Sequence, residues 1–198
     1  AVTLEDIRWD RCDIKSVALL GNVLLRQEAA DAGADEALLV RDGLLLEGSS
    51  SSVLLCIGGT LVTPPNDHRI LPGTSRDAVL ELSQGWLPSQ VCPLVSRELA
   101  SCDEVWIASA GRGVLPVTRI DGAPVGAGRP GPLWREMYDG LQQHLHVDLR
   151  PLEVDLPAQH VLHLAHALAR HVHAHRIGLA GLERDRGRFG AAHQRRAV

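Results

Sequence analysis

One lysine, Lys15, stands among nineteen arginines. Lysine can do what arginine cannot. Its amine sheds a proton when desolvated and condenses with an aldehyde, whereas guanidinium stays charged. A chain that uses arginine everywhere else and lysine once is a candidate for amine chemistry at that position. Glu47, at the end of an apolar run, reads by itself as an exposed strand-end carboxylate; its place 32 residues after Lys15 makes it a second candidate. The serine run that follows it, including Ser50 and Ser51, offers hydroxyl donors. Gly73-Thr74-Ser75, just after Pro72, reads as the opening of a helix capped by Thr74 or Ser75.

Other patterns point away from metal chemistry. Cys12, Cys56, Cys92 and Cys102 contain no CxxC pair, so reduced thiols are expected rather than a zinc site. His160, His163 and His166 are spaced by three, and His171 and His175 by four. Such pairs share a helix face. No carboxylate stands in register with them, so no metal is expected and a solvated or disordered helix is the reading.

The elements that must position these residues follow from periodicity and turn chemistry. Residues 1–10 read as a strand end entering a turn. Val17 to Ala32 reads as an amphipathic helix with Leu19, Leu20, Val23, Leu24 and Ala30 on its apolar side, closed by Gly33. Glu36–Val40 and Leu44–Leu46 form a hairpin around Asp42-Gly43, and 53–57 and 60–63 a second around Gly58-Gly59. A helix is expected from about Ser75 to Trp86, capped by Thr74 or Ser75. Val91–Val95 reads as a strand and Ser96–Cys102 as a short helix. Strands at Glu104–Ala108 and Leu115–Ile120 precede an Asp121-Gly122 turn, and a last amphipathic helix runs through Gln143. After about 144 the composition becomes rich in His, Arg and Ala. A helix over Pro157–Arg176 and disorder over Leu179–Val198 are expected there. The division is therefore 1–143 as one α+β domain and 144–198 as an appended segment.

The chain has 198 residues, 45% of them hydrophobic, 22% charged and 3% aromatic, with a net charge of −4. That suits a core built from Leu, Val, Ile and Ala. No dominant positive field exists, so nucleic acid is not an expected partner. No apolar stretch is long enough to span a bilayer, and Ala1–Asp6 shows no basic-then-apolar leader. A cytoplasmic protein is expected.

The run Arg11-Cys12-Asp13-Ile14-Lys15-Ser16, continuing to Leu19-Leu20-Gly21-Asn22, resembles the cofactor-lysine motif of fold-type IV (class IV) pyridoxal-phosphate-dependent aminotransferases, most closely those of D-amino acid type. Further matches come in order: Ala32-Gly33-Ala34-Asp35-Glu36-Ala37, Arg41-Asp42-Gly43, Glu47-Gly48-Ser49-Ser50-Ser51, Ile70-Leu71-Pro72-Gly73, Ser75-Arg76-Asp77, Leu115-Pro116-Val117 and Ile120-Asp121-Gly122. The likeness covers roughly residues 3–143.

That resemblance implies an α+β fold, the large C-terminal domain of the family, with a mixed sheet or barrel and flanking helices. It implies pyridoxal 5′-phosphate as cofactor, with Lys15 as both its imine partner and the proton shuttle. Glu47 would meet the pyridine nitrogen, so that the ring acts as an electron sink. Leu71 would pack on the ring, Gly73, Thr74 and Ser75 would hold the phosphate, and Ser50 and Ser51 would face the cofactor. The implied reaction is transamination between a D-amino acid and a 2-oxo acid through a lysine aldimine, in a homodimer. An aminodeoxychorismate lyase-like enzyme of the same fold, or a non-catalytic fragment, are the competing readings.

The sequence departs from the family pattern in three places. The family's smaller N-terminal domain has no counterpart ahead of the lysine motif here, so an open cofactor face is expected. Ala110 stands where a phosphate-binding threonine is usual, with Arg112 as a candidate substitute. Ser52 and Leu54 replace an asparagine and an aromatic.

Overall fold

The computed structural model describes residues 1–148, with side chains described through 144. The described residues form one compact unit, Ala1–Asp148, which holds all of the described strands and helices. The expectations for Pro157–Arg176, the histidine pairs and 179–198 lie outside the described residues.

In order, the elements are β1 (Val2–Glu5), α1 (Leu20–Asp31), β2 (Ala37–Arg41), β3 (Leu44–Gly48), β4 (Ser52–Ile57), β5 (Thr60–Thr63), α2 (Thr74–Ser83), β6 (Ser89–Val91), β7 (Leu94–Val95), a 3-10 turn (Ser96–Ala100), β8 (Glu104–Ser109), β9 (Gly113–Val117), β10 (Arg119–Ile120), β11 (Ala123–Pro124) and α3 (Pro132–Asp148). They build a four-stranded sheet ordered β1-β2-β3-β7, a five-stranded sheet ordered β6-β5-β4-β8-β9, and the small β10-β11 ribbon. β1 pairs parallel with β2 and β5 with β6, and the remaining pairs are antiparallel. The α+β class and the mixed pairing expected from sequence are present.

Layering follows from the two-residue period of the strands. Along β4, Val53 and Leu55 face a core shared with Leu38 and Leu45 of the first sheet. Leu54 and Cys56 face the other way, onto Val79 of α2 and Trp134, Met137 and Leu141 of α3. Leu25 and Ala29 of α1 cover the outer face of the first sheet at Ala37 and Leu39. Both sheets are thus covered on both faces, which is why β4 and β8 read as unbroken apolar runs.

Several local readings shift. The two tight turns expected at Asp42-Gly43 and Asp121-Gly122 have positive φ at both positions, as such turns require. The helix expected from Val17 begins at Leu20, and its buried side is Leu25 and Ala29. Leu19, Leu20, Val23 and Leu24, read as the core stripe, are exposed instead. α2 starts at Thr74, and its cap is Gly73, with no side-chain cap from Thr74 or Ser75. The strand expected over 91–95 is two strands in different sheets, because Cys92 and Pro93 carry the chain from one to the other. The cap expected from Ser96 falls to Val95, whose N–H bonds the Glu98 carboxylate at 2.7 Å. α3 continues past Gln143 to Asp148.

Candidate active site

Glu47 sits on β3 at an irregularity of the first sheet. Leu38 pairs with Gly48 and Val40 with Leu45, so three steps along β3 oppose two along β2. The extra residue falls in the stretch holding Glu47, and a bulge of this kind re-aims a side chain. The carboxyl ends up buried. Its Oε1 accepts from Arg8 Nη1 at 2.5 Å, and the N–H of Leu71 lies 3.3 Å from Oε1 and 3.2 Å from Oε2. Burial pushes this carboxyl up to about 7, although Arg8 and the Leu71 amide pull it down.

Arg8 is itself buried between two carboxylates. Asp6 accepts from its Nε at 2.8 Å and its Nη2 at 3.1 Å, and Glu47 takes Nη1. Neither Arg8 nor Asp6 stood out in the sequence. Their signal is two alternating charged residues leaving an apolar parallel strand, which costs too much to bury unless the charges pair.

Lys15 is exposed in the loop between β1 and α1. The chain on either side of it is laced to the surroundings of Glu47. Ahead of Lys15, Cys12 and Asp13 donate N–H to the His68 carbonyl at 2.7 and 3.4 Å, and Arg8 Nη2 reaches the Arg69 carbonyl at 3.2 Å. The same 68–71 segment supplies the Leu71 amide to Glu47. Beyond Lys15, Asn22 Nδ2 donates to the Ser49 carbonyl at 2.8 Å. The structure therefore brings Glu47, half-buried Leu71 and the Lys15 loop into one neighbourhood.

The phosphate candidates lie at the start of α2. Gly73 is extended there, and a Cβ on it would overlap the Ser52 hydroxyl, so only glycine lets that hydroxyl approach the helix N-terminus. Thr74 is exposed and Ser75 half-buried. Arg76, one residue on, is occupied: it donates to Thr63 Oγ1, Asn66 Oδ1 and the Pro64 carbonyl at 3.2, 2.6 and 3.0 Å. It anchors the helix start to the end of β5.

The serine run is held from elsewhere. The hydroxyls of Ser49, Ser50 and Ser51 all donate to buried Glu36, the last two at 3.2 and 3.1 Å. Ser51 is buried and Ser50 exposed. Arg112, the candidate substitute for a threonine at Ala110, donates from Nη2 to Glu36 at 2.8 Å. Arg26 of α1 adds a contact at 3.2 Å. Burial alone would raise the Glu36 carboxyl, but the Ser49 hydroxyl and Arg26, with Ser51 and Arg112 behind them, hold it below the usual range. Glu36 is the second buried group that sequence reasoning passed over.

Among the described residues, no group of three or more His, Cys, Asp or Glu is placed to hold a metal ion. No helix there is long and apolar enough to cross a membrane.

The family described as amino-transferase class IV matches residues 1–120. The chain belongs to this family. A D-alanine aminotransferase of Bacillus licheniformis is 43% identical over 146 residues, covering 73% of this chain and 52% of that protein. One from Staphylococcus aureus (strain COL) is 37% identical over 145 residues, covering 73% and 51%. Among solved structures, a T.th. branched-chain amino acid aminotransferase complexed with N-(5′-phosphopyridoxyl)-L-glutamate superposes with a TM-score of 0.67 at 28% identity, over 71% of this chain and 50% of that one. A 4-amino-4-deoxychorismate lyase (putative, Legionella pneumophila) has a TM-score of 0.64 at 23% identity, over 72% and 54%, a likeness of fold. The chain spans about half the length of the curated relatives it matches.

Proposed function

We propose that the domain over 1–143 is the cofactor-binding part of a pyridoxal-phosphate-dependent transaminase acting between a D-amino acid and a 2-oxo acid. The observation that carries this is Glu47: a buried carboxylate with one oxygen committed to Arg8 and the other holding a single long amide contact. The donor set suits the cofactor. A lone exposed amine at Lys15, an acceptor at Glu47 Oε2 and an uncapped helix N-terminus match an aldehyde, a ring nitrogen and a phosphate.

When bound, the cofactor supplies an electron sink for the carbanion formed at the substrate α-carbon. The remaining work falls to the chain's own residues. Lys15 Nζ would be the amine that holds the cofactor aldehyde and, when free, the base that moves the proton of the substrate α-carbon. Glu47 Oε2 would accept from the ring N–H. Leu71 would line the ring, and Gly73, Thr74 and Ser75 would hold the phosphate through N–H groups and hydroxyls. Ser50 and Ser51 contribute by fixing the loop after Glu47. Ser52, beside Gly73, adds a hydroxyl at the helix start.

Lys15 and Glu47 serve a lyase of this fold equally well. Product analysis separates the two: D-alanine with 2-oxoglutarate should yield pyruvate and glutamate. Turnover of aminodeoxychorismate with no amino transfer would instead support the lyase. Activity with neither would leave the domain as a cofactor-binding fragment.

A homodimer and a cytoplasmic setting belong to the same proposal. The exposed apolar residues Val17, Leu20, Val23 and Leu24 support self-association, and four free thiols suit a reducing compartment. Light scattering showing twice the chain mass tests the first.

A further inference from the structure

We infer that Arg8 is a positioning residue of this site: its Nη1 commits Oε1 of Glu47, and Oε2 is thereby left for the ring nitrogen. The inference rests on reading Glu47 as the partner of that nitrogen.

The geometry leaves Arg8 little freedom. Asp6 Oδ1 takes both the backbone N–H of Arg8 at 3.0 Å and its Nε at 2.8 Å, while Oδ2 takes Nη2 at 3.1 Å. A guanidinium is planar, so fixing two of its nitrogens fixes the direction of the third. That third nitrogen is the one on Glu47. Asp6 is held in turn by Arg41 Nη2 at 3.1 Å. The stem of Arg8 is also confined: a Cβ on Gly21 would come within 3.2 Å of its Cγ, so the start of α1 closes over it. A lysine at position 8 offers a point charge in place of this fork.

The arrangement also sets the charge. The titratable and charged groups facing Glu47 are Arg8, Asp6 and, three residues ahead of Lys15, the buried Cys12 thiol, with Arg41 acting on Asp6. Of the charged groups only Arg8 favours the anion, beside the Leu71 amide, and Arg8 is shared with Asp6. Asp6 thus aims Arg8 at Glu47 and at the same time draws on its charge. Removing the Asp6 charge leaves more of Arg8 for Glu47, and removing Arg8 leaves Glu47 buried with no cation.

The test is the titration of Glu47 in the chain without added cofactor, followed by carbon NMR on labelled glutamate, with E47Q identifying the signal. The wild-type midpoint should lie at about 7. D6N should move it down. D6N/R8Q should move it up, by less than the roughly one to three units that loss of an opposite contact charge alone would give, because the Asp6 charge is lost with it. R8K, which keeps the charge and loses the fork on Glu47, carries the test if the double variant does not fold, and its midpoint should also rise. A midpoint at or below wild type in D6N/R8Q or R8K overturns the inference. Borohydride trapping of added pyridoxal phosphate on the wild-type chain separates the two failures. Trapping on Lys15 with unmoved midpoints overturns the role of Arg8 and leaves the site reading standing. Shifted midpoints with no trapping overturn the site reading, and the inference with it.

Discussion

Glu36 and Arg112, seventy-six positions apart in sequence, meet through a 2.8 Å contact between Oε2 and Nη2. That carboxylate also takes the three serine hydroxyls that follow Glu47. Glu36→Gln should therefore loosen the loop that leads away from the site. Both arginines on Glu36 are partly exposed, so solvent screening limits the loss to about 2 kcal/mol. Denaturant titration should show that loss, and the affinity for pyridoxal phosphate should fall with it. Unchanged stability and affinity would separate the serine loop from Glu36.

The pH dependence of stability carries a sign set by Glu47. Its folded carboxyl lies at about 7, above the ordinary value of 4.5. Between those values the folded state holds the proton that the unfolded state has released, so this group's stabilising share is complete below about 4.5 and is lost as pH rises through 7. The full loss is about 3 kcal/mol. Glu47→Gln cannot ionise, so its stability relative to wild type should rise across that window. A pH-independent difference between the two would contradict the burial argument. Glu36 has the opposite sign: its stabilisation is present above the unfolded carboxyl value and is lost as pH falls.

Glu104 caps α3 from a distant strand. Its oxygens accept from the Leu133 and Trp134 amides at 3.0 and 2.9 Å, and from Trp106 Nε1 at 2.9 Å. A Cβ on Gly131 would fall on this carboxyl. Gly131→Ala should consequently destabilise by about 1–3 kcal/mol, the overpacking range, where an unhindered Gly→Ala change would stabilise. Thermal unfolding decides the sign.

Which side of α1 is buried can be checked with adjacent leucines. Leu25 is 1% exposed and Leu24 51%. Leu25→Ala should cost about 2–5 kcal/mol, and Leu24→Ala about 0.5 kcal/mol or less. Equal losses would return the core to the other face.

These residues also show what could be read from the sequence. The Asp42-Gly43 and Asp121-Gly122 turns were legible because few residues accept positive φ, so local chemistry alone marks them. The strands facing two cores were legible as apolar runs. The buried face of α1 was not, because its apolar residues at 19, 20, 23 and 24 form a helical stripe that stays exposed. Lys15, Glu47 and Gly73 stood out through residue type and order. Arg8, Asp6 and Glu36 did not. Their roles come from pairing across the fold, and the bulge that carries Glu47 depends on register between strands, which no local pattern encodes.

Lys15 is proposed as the amine for an aldehyde cofactor beside Glu47. Adding pyridoxal phosphate to the purified chain, reducing with borohydride and mapping the product by mass spectrometry tests it directly. A single reduced adduct on Lys15, absent from Lys15→Arg, is the result this account predicts. No adduct on Lys15, or one confined to the N-terminal amine, would contradict it.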